Sequence, residues 1–207
     1  MANKWIEIAS NRQPAALVAR QVLTARVQYV QKRLPLAAYE YADDIEHVHQ
    51  LRVACRRAGA ALQAFRPLMS QKPASLRRWL RRIRQAAGPA RDADVLLERL
   101  QKSPPSGHVS EYVLARLQQQ RINVQQQLVK VEKRAQPKKI DRSLKQCLEL
   151  LGSDKQKRTS IKKFAKVALH KACQPVLELT ALQKPTFDQL HELRIAGKRL
   201  RYSIELF

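Results

Sequence analysis

Residues 48–65 read VHQLRVACRRAGAALQAF, and residues 190–207 read LHELRIAGKRLRYSIELF. The second stretch repeats the first at a spacing of 142 residues (48 against 190). His49 aligns with His191, Leu51 with Leu193, Arg52 with Arg194, Ala54 with Ala196, Arg57 with Arg199 and Phe65 with Phe207. Val53/Ile195 and Arg56/Lys198 are conservative pairs. Each copy carries an apolar seam. It runs Val48, Leu51, Cys55, Ala58, Leu62, Phe65 in the first and Leu190, Leu193, Leu200, Ile204, Phe207 in the second. Steps of three and four residues make both stretches amphipathic helices. Beside each seam, about 100° round the helix, runs a basic stripe. It is His49, Arg52, Arg56 in one copy and His191, Arg194, Lys198 in the other. Basic side chains beside a seam often only snorkel, and apolar periodicity recurs easily. A shared H-x-L-R-[VI]-A-x-[RK]-R does not. Two related helices could turn two such stripes towards one groove.

Outward from these stretches, the same periodicity predicts helices almost throughout. Ala19, Leu23, Val27, Val30 and Leu34 mark a first helix, with Pro35 as a kink or stop. Asp43 or Asp44 caps the second, whose end Pro67 and Pro73 bracket. A third runs from Ala74 to Leu100 with Leu76, Leu80, Ile83 and Ala87 inward, and Gly88-Pro89 is expected to interrupt or bend it. Ser103 to Gly107 reads as a turn. Leu114, Leu117, Val124, Leu128 and Val131 give a fourth helix, with glutamines 118, 119, 120, 125, 126 and 127 on a solvated face. Ile140, Leu144, Cys147 and Leu151 give a fifth, and residues 152–159 a polar connector. Ile161–Leu182 and Phe187–Phe207 complete seven helices, an all-α bundle architecture with an internal pseudo-two-fold repeat.

Composition agrees. Aromatics are 5% and glycines number 5, both poor for β architecture. A chain of 207 residues can bury a real core. Cys55, Cys147 and Cys173 are odd in number and lack C-x-x-C spacing, which points to reduced thiols in a reducing compartment. The first residues lack the apolar run of a signal peptide, and no stretch is long and apolar enough to span a membrane.

Lys and Arg total 40 against 17 Asp and Glu, a formal charge of +23. Such an excess repels itself and calls for an anionic partner. From His49 to Arg91 there are ten arginines and one lysine, and no Asp or Glu. A surface built only for solubility would mix in acids at i,i+4 spacing. Arginine is the residue whose planar fork grips phosphate oxygens bidentately. Arg77, Arg81 and Arg84 share one face of the third helix and, with the His49 stripe, could wall a cationic trough. His49 and His191 would add donors when protonated, as a nearby phosphate favours. Proteins that hold single-stranded nucleic acid stack bases on aromatic platforms. This stretch offers only Phe65 and Trp79, both at seam-like positions, and no zinc-finger, RNA-recognition or helix-turn-helix pattern. Polyphosphate is a phosphate backbone without bases.

Other chemistry is poorly supplied. His47 and His49 face about 200° apart on a helix and cannot share a metal. Asp92 and Asp94 could hold Mg²⁺, but an Asp after Gly-Pro more often caps a restarting helix or orients a neighbouring arginine. No Gly-rich phosphate loop, nucleophile elbow or carboxylate cluster is present. No catalytic residue, metal site or cofactor is expected.

Together, VHQLRVACRR (48–57), GPARDADVLLERL (88–100) and LHELRIAGKRLRY (190–202) resemble the CHAD family, the conserved-histidine α-helical domain. The resemblance covers residues 12–207. It implies one domain in two pseudo-symmetric helical copies, 12–135 and 136–207, flanking a basic groove. It also implies binding of inorganic polyphosphate, often at polyphosphate granules. Some members are fused to a triphosphate-tunnel domain, for which this sequence has no candidate. The family's basic and histidine positions fall on His49, Arg52, Arg56 and Arg57, and on His191, Arg194, Lys198, Arg199, Arg201 and Tyr202. Two departures stand out. Gly59 lies where the second copy has Arg201, and the second copy stops at Phe207 without a counterpart of Leu76–Leu100, so it is expected to be incomplete. The reading is therefore a non-catalytic, cytoplasmic polyphosphate-binding module with weak nucleic-acid binding at most and no membrane attachment. Its alternatives are a nonspecific nucleic-acid binder and a scaffold for acidic protein partners. The oligomeric state stays open.

Overall fold

The computed structural model describes residues 6–103, 109–152 and 159–207. Most of the expected turn at 103–107, His108, and nearly all of the connector at 152–159 lie outside them. Among the described residues the helices are α1 (Ala15–Tyr39), α2 (Glu46–Ala64), α3 (Ala74–Lys102), α4 (Val109–Arg134), α5 (Pro137–Glu149), α6 (Ile161–Thr180) and α7 (Phe187–Ile204). A 3-10 turn, Arg66–Leu68, follows α2. The chain divides into two compact units. One comprises Val27–Arg56 and Ala74–Ser143, and the other Met1–Arg26, Arg57–Pro73 and Leu144–Phe207.

Three helices contain proline, at Pro35, Pro89 and Pro175, and none is stopped by it. Of the kink or stop expected at Pro35 and the interruption or bend expected at Gly88-Pro89, the stop and the interruption are corrected. Each proline is exposed. The carbonyl that it leaves without a partner, four residues earlier, shares its face and can turn to water. Flanking the prolines in the chain, Leu34, Ala37 and Ala38 of α1 and Ala86, Ala87, Ala90 and Ala93 of α3 are buried, and that packing carries the helix through. Because α3 does not restart, Asp92 and Asp94 cap nothing. Asp94 instead orients an arginine, as described below.

In the first unit α3 packs along α4. The α2 seam is buried as expected at Val48, Leu51 and Cys55, and Leu76, Leu80 and Ile83 form the buried row of α3. Asp44 caps α2, its carboxylate accepting from the Glu46 amide at 2.8 Å. A buried polar network ties α1, α3 and α4 together. Arg121 donates to Asp94 and, at 2.8 Å, to Gln125 Oε1. Gln125 Nε2 donates to the carbonyls of Ala37 and Ala38 at 2.8 and 2.7 Å. Those carbonyls belong to the last turn of α1, where a helix has no partners of its own. The Arg121 guanidinium also lies 4.5 Å from the centre of the Tyr41 ring. Gln125, only 2% exposed, is therefore a helix cap and not part of a solvated face, while the other five glutamines are exposed as expected.

In the second unit Phe65 and Phe207, matched positions of the repeat, meet edge to face at 5.8 Å. Phe164 of α6 stacks on Phe65 at 5.7 Å. Short backbone pairings close the unit: Ala15 N to Thr159 O, Ile161 N to Gln13 O and Gly152 N to Leu68 O. Gly152 needs its missing side chain, since its φ is 109°. Ser160 caps α6, and Thr186 with Gln189 forms a capping box that starts α7. The α7 seam departs from expectation. Leu190 and Ile204 are 49% and 46% exposed, and the buried residues are Ala196, Tyr202, Glu205 and Leu206. α7 packs along α6, and a two-helix layer buries one narrow stripe per helix.

Replacing Gln125 with Ala removes the cap from two buried carbonyls and a partner from Arg121. It is expected to cost about 2 kcal/mol, read as a lower urea midpoint at unchanged m. Gln126→Ala, one residue away and exposed, should stay within about 0.5 kcal/mol. Equal small effects would show that the network does not support the unit.

Candidate functional site

The expected binding residues fall into two groups, one in each unit. In the first unit α2 presents His49, Arg52 and Arg56, all half-buried, and α3 presents Arg77, Arg81 and Arg84, all exposed. The α2 trio sits at the edge of its seam, as steps of three and four beside Val48, Leu51 and Cys55 require. On α3 the residues 77, 81, 84, 88 and 91 follow steps of four and three and so share one stripe, immediately beside the buried row.

Arg52 is where the two helices meet electrostatically. Burial lowers its pKa first of all. Arg56, Arg84 and Arg91 lower it further, and Asp92 works against them. Its guanidinium reaches the backbone of α3, since a Cβ built on Gly88 would lie 3.1 Å from Arg52 Nη1. His49 feels the same field. Burial pushes it below its ordinary 6.5, Glu46 pulls it up, and Arg91, Arg56 and Arg52 push it down again. In the free protein this field favours the neutral form of His49, and the donor expected of it on protonation depends on a phosphate nearby.

Arg91 was counted in the basic run but not among the binding residues. Its side chain is 15% exposed and bridges to Glu46 at 3.4 Å, tying α3 to the first turn of α2. The signal was present in the sequence: 91 continues the stripe 77, 81, 84. Cys55, beneath the cluster, is fully buried, and its thiol is pushed up to about 12. It is no nucleophile at neutral pH.

The second unit holds the remaining candidates. His191, Arg194, Lys198 and Arg199 lie exposed along α7. Arg57 is committed elsewhere: its Nε donates to Glu205 Oε2 at 2.6 Å, and its side chain is 15% exposed. Glu205 is buried, and Arg201 approaches its other oxygen at 3.4 Å. Arg26 donates to the Glu205 carbonyl at 3.4 Å. Tyr202 is buried under the Arg201 guanidinium, 5.3 Å from the ring centre. Arg57 and Tyr202 thus serve the interior of the unit, and Arg201 is partly engaged there. Gly59, where a further cation was missed, fronts open space.

Among the described residues no three His, Cys, Asp or Glu side chains gather as a metal site. Among them, too, no helix is long and apolar enough to cross a membrane. What the arrangement offers is dense, partly desolvated positive charge on α2 and α3 and a second exposed basic row on α7.

Comparison with known proteins bears on the fold and the family. No curated protein matches the sequence significantly. Among solved structures, the crystal structure of the CHAD domain from the plant Ricinus communis superposes with a TM-score of 0.79 at 21% identity, covering 100% of this chain and 69% of that one. PptA from Streptomyces chartreusis gives a TM-score of 0.62 at 16% identity, covering 94% of this chain and 75% of that one. The family profile described as CHAD domain matches residues 11–207, nearly the whole chain, and the chain belongs to that family.

Proposed function

We propose that this chain binds inorganic polyphosphate through the arginine face of α2 and α3, with the basic row of α7 as a further contact, and performs no chemistry of its own. The observation that carries the reading is the environment of Arg52. It is a half-buried cation held against Arg56, Arg84 and Arg91, with repulsion that the protein itself relieves only in part. An incoming chain of phosphates supplies the missing negative charge and offers oxygens to several guanidinium forks at once. Membership of the CHAD domain family supports the same ligand. A polymer bearing many such charges would also recruit the protein to polyphosphate granules.

The mechanism is neutralisation with release of counterions, so log K should fall linearly and steeply with log salt. Arg52→Glu is expected to weaken long-chain polyphosphate binding by about tenfold or more, and Arg194→Glu to weaken it as well. Arg82→Glu makes the same change in net charge on the outer face of α3 and should have a much smaller effect. If all three variants lose affinity equally, the protein acts as a diffuse cation and the α2–α3 face is not the site.

Phosphate among Arg52, Arg56 and Arg91 reverses the field at His49 and raises its pKa. Binding should therefore take up a proton, and affinity should rise as pH falls from 8 to about 6. In the free protein the depressed His49 costs stability as pH falls from 6.5 towards its lower folded value. Isothermal titration in buffers of different ionisation enthalpy measures the uptake. His49→Gln should remove part of it, and an unchanged uptake would mean that His49 lies outside the ligand's field.

A further inference from the structure

Gly88 is an expensive residue where it stands. A glycine inside a helix is destabilising relative to alanine, and here a proline follows it. Gly59 and Gly197 also lie within helices, but a Cβ at either would meet nothing within 4 Å. Gly88 alone of these three is crowded, and the crowding atom is Arg52 Nη1 at 3.1 Å. The stripe on α3 runs Arg77, Arg81, Arg84, Gly88, Arg91, so position 88 is the one gap in a row of cations. Arg52 reaches across from α2 and places its guanidinium in that gap.

We infer that Gly88 is a positioning residue for the binding face: its missing side chain seats the Arg52 guanidinium on α3 and completes a row of five cations there. The row spans about 21 Å along the helix, from the rise per residue over fourteen residues. A linear polyanion can follow such a row; a compact anion engages only part of it. The inference rests on the polyphosphate reading above and adds to it what sets affinity for an extended chain. Arg91 is fixed at one end by Glu46, and Arg52 is fixed beside it by the seat, so the two half-buried members are pre-arranged and lose little freedom on binding.

The tight contact is with the tip of a flexible side chain, which must give by a few tenths of an ångström, so Gly88→Ala should fold, with the Arg52 guanidinium pushed off its seat. Alanine is also the better helix former. The expected result is a urea midpoint unchanged or raised, with affinity for long-chain polyphosphate lowered about fivefold or more, a dissociation that a purely structural role would not give. Arg52→Gln should lower affinity by itself, and Gly88→Ala added to Arg52→Gln should change nothing further, because the seat then has no occupant. If Gly88→Ala binds within about twofold of the unmodified chain while Arg52→Gln is weakened, the seat is wrong and the polyphosphate reading stands. If the unmodified chain does not bind polyphosphate, both fall. If Gly88→Ala unfolds but is restored by Arg52→Ala, the contact is part of the core, and its role as a ligand-positioning seat is overturned.

Discussion

The arginines of α2 and α3 repel one another, and the buried seams beneath them hold them in place. Val48, Leu51 and Cys55 on α2 and Leu76, Leu80 and Ile83 on α3 are almost fully buried. Each such side chain contributes roughly 1.5–3 kcal/mol on leaving water. That packing is what lets Arg52 remain half-desolvated among Arg56, Arg84 and Arg91. Like charges in water would move apart; on two packed helices they cannot. The fold therefore presents a concentrated positive charge that its own acids, Asp92 among them, offset only in part.

Charge elsewhere in the chain is spent on structure. Glu205 gathers Arg57 and Arg201 through its carboxylate and Arg26 through its backbone carbonyl. Asp94, buried, holds Arg121, which in turn holds Gln125 against the end of α1. Buried ion pairs contribute little net stability, but removing one partner is costly. A basic side chain paired in this way is not available to a ligand in the same sense as Arg52 or Arg84. The formal charge of +23 already counts these acids against their partners, and on α2 and α3 the basic residues gather on particular helix faces.

Much of this could be read from the sequence because α2 obeys one rule throughout. Its six seam positions are apolar, and Val48, Leu51, Cys55, Ala58, Leu62 and Phe65 are all buried. Phe65 and Phe207, matched by the repeat, also touch. The rule failed where polar residues are buried or apolar ones are not. Arg121 and Gln125 follow the spacing of the α4 seam up to Leu128, but a count of apolar residues passes over them. On α7 the repeat carried the seam of α2 across, yet burial depends on what packs against a helix, and α7 lies along α6. Gly88-Pro89 read as an interruption or a bend because local propensity opposes a helix there. Packing of Ala86, Ala87, Ala90 and Ala93 outweighs it. The approach of Arg52 to Gly88 joins residues 36 positions apart, and no local pattern encodes it.

The proposed function requires that the protein recognise a bare phosphate chain and not negative charge in general. The most direct measurement is competition. Labelled long-chain polyphosphate is bound at near-physiological salt, then displaced by unlabelled polyphosphate or by duplex DNA at matched phosphate concentration. Polyphosphate should displace far more effectively, because its flexible chain can follow the arginine forks, whereas duplex DNA carries its phosphates on a stiff helix. Equal displacement by DNA would contradict it, and would mean that the CHAD fold is present while its cations serve as generic charge.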